Sequence, residues 1–246
     1  MTIITSKANS LVKKTKKLLQ KKYRKESYLI EGWHLFEEAK AHGAEILNVF
    51  VLQDYAFKVV DLANVFIVSE DILKDLSASK TPQGIVAEVA LPESKLPQDF
   101  QGKYLILEDV QDPGNVGTMI RTADAAGFDA VFISEKTADI YNLKTLRSMQ
   151  GSHFHLPVYR VKLLDVMVLL KEAGVLTIAT TLSENSLDYR TLDNNENFAL
   201  IMGNEGQGIS HEMAKQADIL THINMPGQAE SLNVAVAAAI IIFSLI

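Results

Sequence analysis

The chain lacks cysteine altogether and carries a single tryptophan and six prolines in 246 residues. Without thiols, disulfides and thiolate-held metals are excluded, and a reducing compartment is compatible with the composition. The opening stretch MTIITSKANSLVKKTKKLLQ has no apolar core of signal-peptide length. That argues against secretion and leaves the cytoplasm as the expected location. Long apolar runs are missing too. The most apolar stretch, Leu232 to Ile246, is 15 residues, against roughly 18 or more for a membrane span. Rich in alanine and without basic flanks, it reads as a buried C-terminal helix rather than a membrane segment.

Acid is lacking at one end. Residues 1–25 contain nine Lys or Arg and no Asp or Glu, whereas the remainder holds 15 basic and 30 acidic residues, so the net charge of −6 hides a basic arm on an acidic body. Such a distribution fits a polyanion contacted by one end of the molecule, or a solvated lysine-rich helix face. Charge alone does not choose between them. Apolar residues at 48% and charged residues at 22% describe an ordinary globular protein, long enough for one large domain or two modest ones.

The first part alternates helix and strand signals. Residues 9–22 read as a helix; SYLIEG, ILNVFVL, NVFIV and GIVAEVAL read as strands; WHLFEEAKAHG is a helix closed by Gly43, and SEDILKDLS a short capped one. The stretch LPESKLPQDFQGK (91–103) gathers two prolines, a glycine and polar residues, placing a boundary near residues 92–102. The expected domains are therefore 1–95 and 103–246. In the second, YLILE, DAVFIS, LPVYRV, VLTIAT, FALIMG and DILTHINM are unbroken apolar strands separated mostly by helices. That pattern predicts an α/β fold with a parallel sheet covered on both faces.

Ligands of such sheets bind beyond the carboxyl ends of the strands, and three strand exits carry chemistry. After YLILE comes DVQDPGNVGTMIRTADAAG, where Asn115 is expected to cap a helix that buries Val116, Met119, Ile120 and Ala123 and ends at Gly127. Arg121 shares a helix face with Gly117 and Ala125, small neighbours that leave room for something bulky; a snorkelling surface arginine is the plainer alternative. LIMGNEGQGIS (200–210) sets Glu205 among Gly203, Gly206 and Gly208, freeing the backbone for close approach to a ligand or simply for a tight turn. INMPGQAESLNVAVAAAI (223–240) places Ser231 and Asn233 before an alanine-rich helix, with Ser231 as a possible N-cap. There is no GxGxxG and no phosphate loop. Glycine-rich strand exits in acidic surroundings favour a neutral or cationic nucleoside, for which S-adenosylmethionine is the obvious candidate.

Taken in order, NVGTMIRTADAAG, IMGNEGQGIS and INMPGQAESLNVAVAAAI resemble the three motifs of the SpoU (TrmH) family of SPOUT RNA methyltransferases, and SYLIEGWHLFEEA with TPQGIVAEV resembles its ribosomal-protein-like substrate-binding domain. The resemblance implies a C-terminal parallel-sheet domain with a deep trefoil knot plus a small N-terminal α/β domain, S-adenosylmethionine as cofactor, and 2'-O-methylation of a ribose. It also implies a homodimer. The expected RNA is ribosomal, 23S in particular, because the added N-terminal domain resembles those on ribosomal-RNA enzymes; transfer RNA is the alternative substrate. By the same match Arg121 is the catalytic arginine, with Asn115, Glu205, Ser231 and Asn233 completing the active site. Gly203, Ile223, Met225 and Leu232 fall on cofactor-lining positions, with Thr180 beside them. Lys13, Lys14, Lys17 and Arg24 would meet the RNA backbone, and Arg147, with Ser148, is a further candidate near the site.

A guanidinium is effectively always protonated. Arg121 is therefore expected to hold a phosphate or stabilise developing alkoxide charge, and Glu205 or a water to take the hydroxyl proton. His153 and His155, alternating on an expected strand, are read as structural, and no metal is implied. A dehydrogenase is disfavoured by the missing GxGxxG, and a non-catalytic RNA-binding protein by the four catalytic candidates occurring together.

Overall fold

A computed structural model describes residues 1–246 except Lys80 and Ser94, the latter within the expected linker. The chain divides into two compact units: Met1–Glu93 with Asp139–Phe154, and Ser94–Ala138 with His155–Ile246. The first unit opens with β1 (Thr2–Ile4), α1 (Ser10–Lys17), β2 (Ser27–Glu31), α2 (Trp33–Ala41), β3 (Ile46–Val51), β4 (Val65–Val68), α3 (Glu70–Leu76) and β5 (Ile85–Ala90). Its five-stranded sheet has the order β1-β4-β3-β5-β2, with β5 antiparallel to both neighbours and the other pairs parallel. The edge strand β1 was not expected from the sequence.

Asn9 starts α1 by accepting from the amides of Leu11 and Val12 at 2.8 and 3.4 Å. The helix stops at Lys17, short of the expected residue 22, and a 3-10 turn, Lys21–Tyr23, follows. The Arg24 guanidinium takes the carbonyls of Leu18 and Leu19, which a continuing helix would have satisfied itself.

The chain continues with β6 (Lys103–Leu107), α4 (Pro113–Ala125), β7 (Ala130–Ile133), α5 (Leu143–Met149), β8 (Val158–Arg160), α6 (Leu163–Glu172), β9 (Leu176–Thr180), β10 (Leu187–Asp188), β11 (Phe198–Met202), α7 (His211–Gln216), β12 (Ile219–His222) and α8 (Val234–Ser244). All seven strands of the second sheet are parallel, in the order β10-β12-β9-β11-β6-β7-β8, as the unbroken apolar runs predict. The expected linker is partly core: Phe100 is buried against Tyr104 and Phe132, at ring separations of 5.9 and 6.1 Å. Such pairs add about 0.5–1.5 kcal/mol each beyond burial of their area.

The helix α5 clusters with the first unit, where it packs on β2. His153 lies in a 3-10 turn rather than on a strand, and its Nε2 is 3.0 Å from the Tyr28 hydroxyl. His155 follows that turn, with Nδ1 3.1 Å from Asp124. Burial pushes the Tyr28 pKa upward, with Tyr141 adding to the shift.

The last helix corrects the expectation of full burial. Ala235, Ala238, Ile241 and Ile242 are buried, and α8 packs on α4 and β11, but Val236 and Phe243 are 49% and 54% exposed. An all-apolar helix on the surface leaves an uncovered hydrophobic face. Among the described residues no helix is long and apolar enough to cross a membrane.

Candidate active site

The site lies at the carboxyl ends of the central strands β6, β9, β11 and β12. Beyond β6, Asp109 adopts a φ of +55°, a left-handed conformation costly for a residue with a side chain. It is held by four hydrogen bonds with three neighbours. Its amide donates to Ser134 Oγ at 2.9 Å, its carboxylate accepts from the same hydroxyl at 2.7 Å, and its carbonyl accepts from Asn204 Nδ2 at 2.8 Å and Gln111 Nε2 at 3.1 Å. The strand exit is thus turned back toward the glycine-rich loop after β11.

Asp112, not Asn115, caps α4. Its Oδ1 accepts from the amides of Gly114 and Asn115 at 2.7 and 3.0 Å, and Pro113 takes the first helical position, where its missing N–H costs nothing. Asn115 is thereby freed for other contacts. Its Nδ2 donates to Glu205 Oε1 at 3.0 Å, and its Oδ1 accepts from Asn233 Nδ2 at 2.9 Å. Asn233 itself caps α8, accepting from Ala235 and Val236, so Ser231 is not the cap. The expected core residues Val116, Met119, Ile120 and Ala123 are buried, and Gly127 turns the chain with a φ of +69°.

Glu205 joins the loops. Its carboxylate accepts from the amides of Gln111 and Asp112, each at 3.0 Å, as well as from Asn115. Partial burial works to raise its pKa, but the bonds from Gln111, Asn115 and Asp112 outweigh it and the net shift is downward. Three hydrogen bonds to this carboxylate tie the loop after β11 to the loop after β6.

The loop carrying Glu205 is closed by reciprocal bonds of 2.9 Å between Asn204 and Gly208. A Cβ on Gly203 would stand 2.2 Å from the Gly208 carbonyl carbon and 2.3 Å from the Ile209 nitrogen, so only glycine fits this crossing. One open pocket lies beside it. Its lining includes all five expected cofactor positions, Thr180, Gly203, Ile223, Met225 and Leu232, together with Glu205 and Ser231. Leu182, Met202, Val234, Ala237 and Ile241 add apolar wall, and among the described residues no lysine or arginine lines it.

Arg121 stands apart from this pocket lining. It is exposed on α4, and among the described residues it has no hydrogen-bond or ion-pair partner. Lys13, Lys14 and Lys17 are exposed on α1, and Arg147 on α5, all in the first unit. Arg24 is corrected: its side chain is 5% exposed, paired with Asp139 and bonded to two carbonyls, so its guanidinium is occupied within the protein.

Asp109, Gln111, Asn204 and Arg160 support the site without being among its expected residues. Arg160 donates to the carbonyls of Ser134, Glu135, Thr137 and Ala138, fixing the loop that supports Asp109. The polar cluster EDVQDP between an apolar strand and a helix was the available signal, since so many polar groups at a buried strand exit need partners.

Residues 102–243 match the SpoU rRNA Methylase family. The chain belongs to that family. Residues 9–87 match the MRM3-like substrate binding domain. Among curated relatives of this SpoU family member, the 23S rRNA (guanosine(2553)-2'-O)-methyltransferase RlmP of Bacillus subtilis is 45% identical over 100% of this chain and 99% of its own. The AdoMet-bound rRNA methyltransferase of Sinorhizobium meliloti superposes with a TM-score of 0.88 at 34% identity, covering 99% and 96% of the two chains. AviRb of Streptomyces viridochromogenes, solved in complex with AdoMet, gives 0.85 at 27% identity over 96% and 97%.

Proposed function

We propose that this SpoU family member transfers a methyl group from S-adenosylmethionine to a ribose 2'-hydroxyl in 23S ribosomal RNA, at a guanosine as in the similar Bacillus subtilis enzyme. The observation that carries the reading is the pocket at Gly203, lined by residues of the second and third motifs, while Asn115 of the first bonds Glu205 and Asn233 beside it. The residues present fit the cofactor. The glycine crossing brings backbone to the pocket edge, the apolar side chains suit an adenine ring, and the absence of lysine and arginine from the described lining disfavours a polyphosphate. When bound, the cofactor supplies a methyl on a sulfonium sulfur, which departs as a neutral thioether.

As no anion leaves, the chain's task is alignment of the hydroxyl and removal of its proton. The Asn233–Asn115–Glu205 chain fixes the loops around the pocket, and Ser231 is part of the pocket wall. Arg121 offers its planar fork of donors to the target phosphate or to the charge growing on the 2'-oxygen. The proton passes to water, since the Glu205 carboxylate already accepts three hydrogen bonds.

The first unit serves as the RNA-holding domain and the second as the methyltransferase domain, with Lys13, Lys14, Lys17 and Arg147 on phosphates. The exposed apolar residues of α8, with Leu232 beside it, form the homodimer contact. The C-terminal segment threads the family's trefoil knot; the non-sequential order β12-β9-β11-β6 and the return of α8 onto α4 support this. The enzyme works in the cytoplasm, where ribosomal RNA is made.

Calorimetry with S-adenosylmethionine and transfer of labelled methyl to unmodified 23S transcript test the reading together. Binding and ribose-specific incorporation are expected. No cofactor binding would leave only an RNA-binding protein, and incorporation into transfer RNA alone would reassign the substrate.

A further inference from the structure

The lysines of the N-terminal arm are unequal. Lys7 and Lys16 reach Asp75 at 3.4 and 3.1 Å, whereas Lys13, Lys14, Lys17, Lys21 and Lys22 have no carboxylate partner among the described residues. Two of these unpaired ammonium groups converge on one aromatic ring. Lys22 Nζ lies 4.9 Å and Lys17 Nζ 5.7 Å from the ring centroid of Tyr23, which is 42% exposed.

The ring is presented by a fixed turn. Tyr23 donates its amide to the Gln20 carbonyl at 3.0 Å and accepts from Lys25 at 3.1 Å. The next residue, Arg24, anchors the turn through Leu18, Leu19 and Asp139. The arginine expected on the RNA is therefore what aims its neighbour. Two like charges beside one ring repel each other, and nothing in the first 25 residues is acidic to relieve them. A nucleotide supplies both missing parts: phosphates for the ammonium groups and a planar base for the ring.

We propose that Tyr23 is a base-stacking contact for an unpaired nucleotide of the substrate RNA, flanked by Lys17 and Lys22 on its phosphates. This rests on the reading of the chain as an enzyme acting on RNA. The contact adds a sequence-tolerant hold on single-stranded RNA that a lysine patch alone lacks, because a duplex keeps its bases stacked on one another.

Fluorescence anisotropy of the full chain with a short labelled oligo(A), repeated over a range of salt, tests it. Tyr23→Ala and Tyr23→Leu should each bind at least about tenfold more weakly, and Tyr23→Phe should bind as wild type does. The slope of log affinity against log salt should stay at the wild-type value in all three. Lys17→Gln and Lys22→Gln should each flatten it by roughly 0.7, as expected for one phosphate contact on a single strand. Equal affinity of Tyr23→Ala and wild type, full retention in Tyr23→Leu, or an equal loss on duplex RNA would overturn the stacking role. In those cases wild-type RNA binding and cofactor calorimetry stay intact, so the enzyme reading survives. Wild-type protein that binds no RNA would bring down both.

Discussion

Replacing Glu205 with glutamine separates a brace from a base. The carboxylate accepts three hydrogen bonds, each of 3.0 Å, from Gln111, Asp112 and Asn115. Bonds to a charged group contribute about 1.5–3 kcal/mol when shielded, and nearer about 1 kcal/mol on an exposed loop such as this. Glutamine keeps Oε1 for Asp112 and Asn115 but turns an N–H toward the Gln111 amide, losing one acceptor. A cost of about 1 kcal/mol, or roughly five- to tenfold in kcat/KM, follows. Alanine removes all three, about 3 kcal/mol or more than a hundredfold. In both variants KM for S-adenosylmethionine should rise, because Gly203 sits on the braced loop. The assay is initial-rate methyl transfer across a pH series. The glutamine variant should keep the wild-type pH dependence. Loss of the acidic limb, with kcat down by about a hundredfold to ten-thousandfold, would make Glu205 the base after all and refute the brace.

Arg121→Lys should lose most of kcat while cofactor affinity, read by calorimetry, is unchanged; a lysine enzyme of near-normal rate would remove any need for the planar fork. Gly203→Ala forces a methyl into the Gly208–Ile209 backbone. It should cost more than about 3 kcal/mol in thermal stability or abolish cofactor binding, and a variant normal in both would contradict the described crossing. The Glu205 pKa is depressed in the folded protein. Its stabilising contribution is therefore complete above the unfolded value of about 4.3 and is lost as pH falls through the lower folded value. The gap in Tm between wild type and Glu205→Gln should thus hold steady from neutral pH downward and close only in that acid window. For the proposed homodimer contact, wild type should sediment as a dimer and Phe243→Asp, on the uncovered face of α8, as a monomer; a monomeric wild type or an equal mass in the variant would remove that contact.

Periodicity and turn chemistry made most of the framework readable. The inner strands β6, β7 and β11 show as unbroken apolar runs because both faces are buried, and the glycine loops mark where such runs end. What escaped was decided by partners distant in sequence. Asp112 and Asn115 are both good caps three residues apart, and the choice follows from Asn115 being drawn to Glu205 and Asn233. Arg24 sits in a basic run and looks like a phosphate ligand until Asp139, far along the chain, is seen beside it. The strands Thr2–Ile4 and Leu187–Asp188 are too short to carry a pattern. The last helix, apolar on every side, holds no sequence record of which face is covered. Of the site, the motif loops and the pocket-lining positions were legible. The Asp109 and Arg160 supports were not, because a strained turn and its carbonyl clamp leave no periodic trace.

The most direct test of the central claim maps 2'-O-methylated riboses in ribosomal RNA from cells with and without this protein. One guanosine in 23S RNA should lose its methyl group when the protein is absent and regain it when the wild-type chain, but not Arg121→Ala, is restored. A methylation map identical in the two strains, or a change confined to transfer RNA, would contradict the account.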